Sequence, residues 1–291
     1  MKRYIRCESE NSLIPEYYFS SDYRNRVNYA KREDTPSEVL EIYVYDPDPT
    51  VRAFVAKNAN TPAEYLTEFA KDSDGMVRAM VAANHGAPQE LLTKLAKDRS
   101  SKVRSAVAKN PTAPIDVLYK LAQDKSSNVS CDVLSNPTFR QAVTPEVLRS
   151  FASSKNESLV MWVAKNPNTP ADVLVQLASR WEGPIRRAAI ANPSLPEETL
   201  LEFQSNDNAW VQEGVIRNPN TSVEYLTDLA NSTNSLALLA EIAKNPNTPE
   251  DVLETIFRKG HGNVWVRSAL KDNPNTPRQI FNQVRNVWGN R

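Results

Sequence analysis

The feature that most constrains the fold of this 291-residue chain is an asparagine that closes an apolar segment and returns at a nearly constant interval. The interval is 26 residues in most repeats and 27, 28 or 30 in the others. The marker asparagines are Asn58, Asn84, Asn110, Asn136, Asn166, Asn192, Asn218, Asn245 and Asn273. Self-similarity at a period of about 20 to 50 residues is the signature of a repeat architecture. The period therefore decides the fold class.

The residue pattern of each repeat predicts two helices. In one repeat Thr169 can act as the N-cap, Pro170 fits the first helical position, and Asp172 can complete a capping box. The first helix that follows carries a leucine marker, at Leu40, Leu66, Leu92, Leu118, Leu148, Leu174, Leu200, Leu226 and Leu253, with Phe281 as the last member. A second helix, such as residues 103–109, ends at the next asparagine, because a following proline disfavours helical geometry there.

Helices this short are marginal in water by themselves, so they must gain stability by stacking. We expect an all-α solenoid of about ten 26-residue helix-pair repeats. Residues 25–291 are predicted to form a single continuous array with an insertion near 137–144, which either bends the superhelix or presents a loop to a partner. Residues 1–24 are predicted to be an N-terminal aromatic cap, with docking of a partner as the alternative.

Residues 103–122 match a pattern almost in full: Val-Arg-x-x-Val-Ala-x-Asn-Pro-x-Thr-Pro-x-x-x-Leu-x-x-Leu-Ala. In this the chain resembles the leucine-rich repeat variant family, which is similar in logic to HEAT and armadillo repeats. The resemblance implies a right-handed superhelix of α-helices and short 3₁₀ or α-helical turns, without sheet. Some members of the family carry an N-terminal iron–sulfur cluster. Here Cys7 is the only cysteine before Cys131, so no such cluster is expected.

Composition excludes several function classes. The 35 basic and 35 acidic side chains balance, whereas nucleic-acid binders use a basic surplus. Seven glycines leave no phosphate-cradling loop, and the two cysteines and two histidines lack metal-ligand spacing, so no cofactor and no metal are expected. The basic N-terminus lacks the apolar run of a signal peptide and no segment is long enough to cross a membrane, so we expect a cytoplasmic protein.

A row of arginines occupies equivalent positions of the repeats. Arg52, Arg78 and Arg104 fall in three consecutive repeats, and Arg186 and Arg267 in later ones. Equivalent positions of a solenoid line up, so this row could receive a carboxylate- or phosphate-bearing partner. Alternatively, the arginines form local ion pairs with aspartates six residues earlier in the chain, which are Asp46, Asp72 and Asp98.

Two further sets of residues invite interpretation. Trp210 and Trp265 hold equivalent positions just before the second helix, where they can anchor a partner or fill gaps between helices. The marker asparagines are interpreted as a structural ladder, in which each side chain bonds backbone groups that the turn leaves unpaired.

The sequence favours a non-catalytic interaction scaffold that binds a protein or peptide on the extended face of the solenoid. It contains no nucleophile motif, no paired histidines and no carboxylate constellation outside the capping acids, so no enzymatic activity is expected. The alternative is a nucleic-acid-binding HEAT-like module or a DNA base glycosylase-like enzyme. The arginines and tryptophans support this alternative, and the zero net charge opposes it.

Overall fold

The computed structural model describes residues 4–6, 13–15, 18–181, 183–206 and 208–285. These residues form two compact units, an N-terminal unit (Met1–Val143) and a C-terminal unit (Thr144–Arg291). Each unit is built from pairs of short helices. The continuity of the array over residues 25–291 and its right-handed twist stay predictions.

The N-terminal unit begins with a small antiparallel hairpin of strands β1 (Tyr4–Arg6) and β2 (Leu13–Pro15), in which Ile5 lies opposite Ile14. The prediction of an all-α array without sheet is confirmed for the described residues of the repeats, and this two-stranded sheet lies outside them. The hairpin lies outside the periodic region, and its residues include tyrosine and isoleucine, which favour extended structure. Residues 1–3, 7–12 and 16–17 of the predicted aromatic cap lie outside the described residues. At its end, Tyr18 packs edge-on against Tyr29, with ring centroids 4.9 Å apart.

The helices of the N-terminal unit alternate between a nine-residue second helix and a shorter first helix. The second helices are α1 (Tyr23–Lys31), α3 (Pro49–Lys57), α5 (Gly75–Ala83), α7 (Ser101–Lys109) and α9 (Ser127–Ser135). The first helices are α2 (Ser37–Ile42), α4 (Ala63–Phe69), α6 (Gln89–Leu95) and α8 (Ile115–Leu121).

The insertion after Asn136 forms one more helix, α10 (Pro137–Ala142). Its Phe139 is fully buried and packs edge-on against Tyr119, with ring centroids 5.8 Å apart. The Tyr119 hydroxyl donates to the carbonyl oxygen of Ala142 at 2.7 Å. The insertion is therefore anchored to helix α8 by both an apolar and a polar contact.

The C-terminal unit repeats the same alternation. Its first helices are α11 (Pro145–Ala152), α13 (Ala171–Arg180), α15 (Glu197–Gln204), α17 (Val223–Ser232), α19 (Glu250–Gly260) and α21 (Arg278–Arg285). Its second helices are α12 (Glu157–Lys165), α14 (Gly183–Ile190), α16 (Ala209–Arg217), α18 (Leu236–Lys244) and α20 (Val264–Asp272). In helix α21, Ile280 and Val284 are buried.

The core of each unit lies between the first and second helices. The nine leucine markers are at most 1% exposed, as their spacing predicts for a core stripe. Successive second helices approach closely because small residues line their contact, including the fully buried Ala56, Ala82 and Ala108. At one contact Gly214 allows α16 to lie against α14, since a Cβ atom built there would be 2.9 Å from Cβ of Ile190.

The start of helix α13 differs from the prediction in its capping. Pro170 occupies the N-cap position rather than the first helical position, and Asp172 pairs with Arg149 at 3.0 Å instead of completing a capping box. Helix α13 begins after Pro170, and Thr169 does not cap it.

The Thr169 hydroxyl instead donates to the carbonyl oxygen of Val163 at 2.6 Å, in the second helix of the preceding repeat. Thr61 and Thr248 make the equivalent bond six residues back. The threonine therefore satisfies a carbonyl at the C-terminal end of the second helix, where helices leave such groups unpaired.

Candidate interaction site

The marker asparagines tie each repeat to the one before it. Asn110 is 2% exposed, and its Nδ2 donates to the carbonyl oxygens of Ala82 at 2.8 Å and Asn84 at 3.0 Å. Its Oδ1 accepts from the backbone N–H of Thr112 at 2.9 Å. The same pair of donations is made by Asn58, Asn84, Asn136, Asn192, Asn218, Asn245 and Asn273.

Asn166 departs from this pattern. Its Oδ1 accepts from the backbone N–H of Asn168 at 2.9 Å, and its carbonyl oxygen accepts from Asn192. Its side-chain Nδ2 makes no hydrogen bond with any residue that the structure describes. Asn166 therefore accepts the hydrogen bond from the next repeat but does not make the two donations to the preceding repeat that the other marker asparagines make.

The arginine row of the N-terminal unit is engaged in ion pairs between repeats. Nε of Arg78 donates to Oδ2 of Asp98 at 2.7 Å, and Nη2 donates to Oδ1 at 3.0 Å. Nη1 of Arg78 reaches back to the carbonyl oxygen of Asp72 at 2.8 Å. Hydrogen bonding from Arg78 holds the pKa of Asp98 below its usual range. The equivalent pairs are Arg26–Asp46, Arg52–Asp72 and Arg104–Asp124.

The alternative prediction, ion pairs with the aspartate six residues earlier, is therefore wrong about which aspartate each arginine binds. Arg52, Arg78 and Arg104 bind the carboxylate twenty residues later and only the backbone carbonyl of the aspartate six residues earlier. The physical reason is that the carboxylate of the earlier aspartate is already occupied by the arginine of the preceding repeat. Sequence reasoning missed the outer members, Arg26 and Asp124, although both continue the 26-residue step.

The two later arginines are not paired in this way. Arg267 donates through Nη2 to the carbonyl oxygen of Gln283 at 3.0 Å. Arg186 lies with its Cζ atom 5.7 Å from the ring centroid of Phe203, and its Nε is buried without a hydrogen-bond partner. The row is therefore neutralised in the N-terminal unit, whereas Arg186 carries an uncompensated charge among the described residues.

The two tryptophans lie within the first turn of their helices rather than before them. Trp210 is the second residue of α16 and Trp265 the second residue of α20. Trp265 is 73% exposed and Trp210 is 41% exposed. The guanidinium of Arg187 lies 4.6 Å from the Trp210 ring centroid, within the range of a cation–π interaction.

Trp265 belongs to an apolar surface that the sequence did not reveal. Its neighbour Val264 is 65% exposed, and Leu236, the first residue of α18, is 41% exposed. Leu236 and Trp265 line a cleft of about 560 Å³ whose walls come from α16, α18 and α20. We call this surface, made of Leu236, Val264, Trp265 and the cleft, the apolar cleft surface.

A chain of ion pairs borders the apolar cleft surface. Glu213 pairs with Arg187 and with Arg217, at 2.7 Å each. Glu241 pairs with Arg217 and with Lys244, at 2.8 Å each. These charged residues lie on successive second helices and form a polar rim beside the cleft. The ion pairs hold their long side chains in fixed orientations.

The N-terminal unit has a related feature at the equivalent position. Met76 is the second residue of α5, like Trp210 and Trp265 in their helices, and it is 56% exposed. With Met80 it lines a cleft of about 730 Å³ between α5 and α7. The sequence signal that would have found both clefts is an apolar residue at the second position of a second helix.

The described residues give no sign of a metal site or a membrane segment. They contain no cluster of three or more histidine, cysteine, aspartate or glutamate residues that could hold a metal ion. None of their helices combines the length and apolar character needed to cross a bilayer.

Stacked helix pairs joined by asparagine and arginine ladders define a helical-repeat protein. Its fold is like that of the leucine-rich repeat variant: a solved structure titled as a leucine-rich repeat variant with a novel repetitive structural motif aligns with 79% of this chain and 90% of its own, at a TM-score of 0.55 and 24% identity. An engineered protein aligns with 94% of this chain and 97% of its own, at a TM-score of 0.38 and 18% identity. No protein-family model and no curated protein matches the sequence.

Proposed function

We propose that the protein is a non-catalytic interaction scaffold that binds a protein or peptide segment on the apolar cleft surface of its C-terminal unit. The repeat fold favours an interaction role in general. The observation that carries the specific proposal is the exposure of Trp265 and Val264 beside a cleft, because contiguous apolar side chains in water are typical of interaction sites.

The surface has the composition of an interface. Trp265 offers a large apolar area, and tryptophan is enriched among the residues that dominate binding energy. The alanines that line the cleft, Ala237 and Ala240, leave room for an apolar side chain of the partner. The ion pairs of Glu213 and Glu241 supply the polar rim that surrounds the apolar centre of many interfaces.

The arginines of the row that lie in the N-terminal unit offer no support for the nucleic-acid alternative. Arg52, Arg78 and Arg104 are bonded to aspartates, so they contribute no free positive track for a phosphate backbone. A salt titration of DNA or RNA binding tests this directly. We expect no binding with a steep salt dependence.

Selection of random displayed peptides against the purified protein tests the proposal. We expect the selected peptides to contain apolar anchor residues and to bind at least about tenfold more weakly to a Trp265→Ser variant, because truncating a central anchor costs about 2 kcal/mol or more. Leu201→Ser is the matched control, since Leu201 is 49% exposed but lies on a first helix of the same unit. Equal loss in both variants, or no selected peptide that depends on Trp265, would contradict the proposal.

A further inference from the structure

One repeat retains the arginine of the ladder and lacks its carboxylate. In the N-terminal unit each ladder arginine is the fourth residue of a nine-residue second helix and binds the aspartate twenty residues later. Arg186 is the fourth residue of α14, and the residue twenty positions later is Asn206. The sequence thus replaces the expected carboxylate by an amide.

The local geometry of Asn206 matches that of the aspartates. Oδ1 of Asp98 accepts from the backbone N–H of Ser100 at 2.8 Å, two residues ahead. Oδ1 of Asn206 accepts from the backbone N–H of Asn208 at 2.9 Å, also two residues ahead. In Asp98 the second oxygen, Oδ2, accepts from Nε of Arg78. With the oxygen of Asn206 oriented in the same way as Oδ1 of Asp98, the corresponding position is an NH₂ donor, so Asn206 offers no acceptor to the Nε of an arginine.

The structure shows the result of this mismatch. Nε of Arg186 is buried and without a hydrogen-bond partner, and no hydrogen bond or ion pair joins its guanidinium to any described residue. The terminal nitrogens of Arg186 are therefore open to solvent, while the Phe203 ring, 5.7 Å from Cζ, forms an apolar wall. Gln204, the residue after Phe203, also has a buried amide nitrogen without a partner. The described residues thus supply the guanidinium of Arg186 with no hydrogen-bond acceptor.

We propose that Arg186 is the centre of a carboxylate-binding site that receives an aspartate or glutamate side chain of a protein partner. The chemistry follows from the protein's own ion pairs, in which the equivalent arginines hold the two oxygens of a carboxylate at 2.6 to 3.2 Å. At Arg186 the donors that a partner reaches are the two terminal nitrogens, because Nε is buried. A planar two-oxygen group fits this fork of donors. The site is distinct from the apolar cleft surface and rests on independent observations.

A carboxylate is favoured over a nucleic-acid phosphate by the other charges of the C-terminal unit. Binding to a phosphate backbone draws on several free cations, and Arg187 and Arg217 are already paired with glutamates. A single guanidinium suits a single carboxylate. Phosphate binding is therefore an outcome that the experiment must separate from the proposal.

The first arm of the test restores the internal carboxylate. Asn206→Asp is expected to raise the melting temperature by about 2 to 6 °C, since hydrogen bonds to charged groups are among the stronger ones. This rise should vanish when Arg186→Gln is added. Thr233→Asp is the matched control. The Thr233 hydroxyl accepts from the backbone N–H of Ser235 at 3.1 Å, as Asn206 accepts from Asn208. The position that corresponds to Arg186 in the preceding repeat is Gln212, so an aspartate at 233 meets no arginine there. An equal effect of both aspartates would overturn the proposal, because an arginine satisfied elsewhere gains nothing from a new carboxylate.

The second arm observes the ligand. The Nε–H resonance of Arg186, assigned with the Arg186→Gln variant, is followed by NMR during titration with the peptide Ac-Ala-Asp-Ala-NH₂ at constant ionic strength. We expect a saturable shift that is absent with Ac-Ala-Asn-Ala-NH₂ and is lost or weakened at least about tenfold in Asn206→Asp. A shift with inorganic phosphate but not with the aspartyl peptide would overturn the proposal, as would an aspartyl-peptide shift that persists in Asn206→Asp.

Discussion

The asparagine ladder permits a quantitative test on Asn110. Substitution by alanine removes both donations to the preceding repeat, at 2.8 and 3.0 Å, and the bond accepted from the Thr112 N–H at 2.9 Å. The two carbonyl oxygens would lose these donors in a site where Asn110 is 2% exposed. A buried polar group left without a partner costs about 1 to 3 kcal/mol. We therefore expect Asn110→Ala to lower the free energy of unfolding by about 2 to 5 kcal/mol.

Asn166 provides the matched control within the same chain. Among the described residues its side chain makes only the local bond to the Asn168 N–H at 2.9 Å. Asn166→Ala should therefore cost only about 0.5 to 1.5 kcal/mol. Urea unfolding followed by far-UV circular dichroism compares the two variants through the midpoints of their transitions. Repeat arrays can unfold in more than one step, so the comparison is made only if the slope of the free energy against urea concentration is unchanged. Losses that agree within about 0.5 kcal/mol would refute the assignment of stability to the bonds between repeats.

Asn110→Asp refines the same test because it preserves shape and replaces the donor. The introduced carboxylate would face the two carbonyl oxygens, which raises the pKa of this group in the folded state. A carboxyl group whose pKa is raised in the folded state stabilises the fold at pH values below its unfolded-state pKa of about 3.9. This contribution is lost as the pH rises through the folded-state pKa. The variant should therefore lose stability relative to the parent between mildly acidic and neutral pH. A constant difference over that interval would contradict this account.

The arginine ladder and the helix contacts give two further predictions. Hydrogen bonding from Arg78 lowers the pKa of Asp98, so the pair stabilises the fold above the unfolded value of about 3.9 and loses this effect as the pH falls through the folded value. Asp98→Asn should cost about 1 to 3 kcal/mol at neutral pH and flatten the acid limb of stability in urea unfolding at several pH values; an unchanged limb would show that the pair does not titrate as described. Gly214→Ala should lower stability in thermal unfolding by about 1 to 3 kcal/mol, because its Cβ would be 2.9 Å from Cβ of Ile190. Gly262→Ala, with no atom within 4 Å of its Cβ, should change little, and equal effects would contradict the close helix approach.

The sequence predicted the helix pairs well because their signals are local. Leucine spacing identifies the buried stripe, and proline after the asparagine ends the second helix. The partner of each polar side chain was harder to predict, because it depends on how repeats stack. Thr169 fits an N-cap by position, yet its hydroxyl bonds Val163 at the end of the second helix. Arg78 could reach an aspartate on either side by sequence distance, and the stacking selects Asp98.

The candidate sites were predictable only in part for a related reason. Trp265 in a helical repeat is compatible with either packing or binding, because a single aromatic residue does not reveal which side of its helix faces solvent. The structure places it in water beside Leu236, and these two residues are far apart in the chain. Arg186 was identified by its position in the row, but its missing partner became visible only when the spacing of twenty residues between arginine and aspartate was established.

The ladder explains why one departure from it is informative. At Gln212 and Thr233 both positions of the pair are neutral, so no charge is left without a partner. At Arg104 and Asp124 both are charged and bonded. Arg186 instead keeps the charge while its partner position holds an amide, so its repeat retains a half-buried guanidinium that destabilises the isolated protein. An external carboxylate would supply the missing acceptor, and the stability lost in the free state would then be recovered as binding affinity.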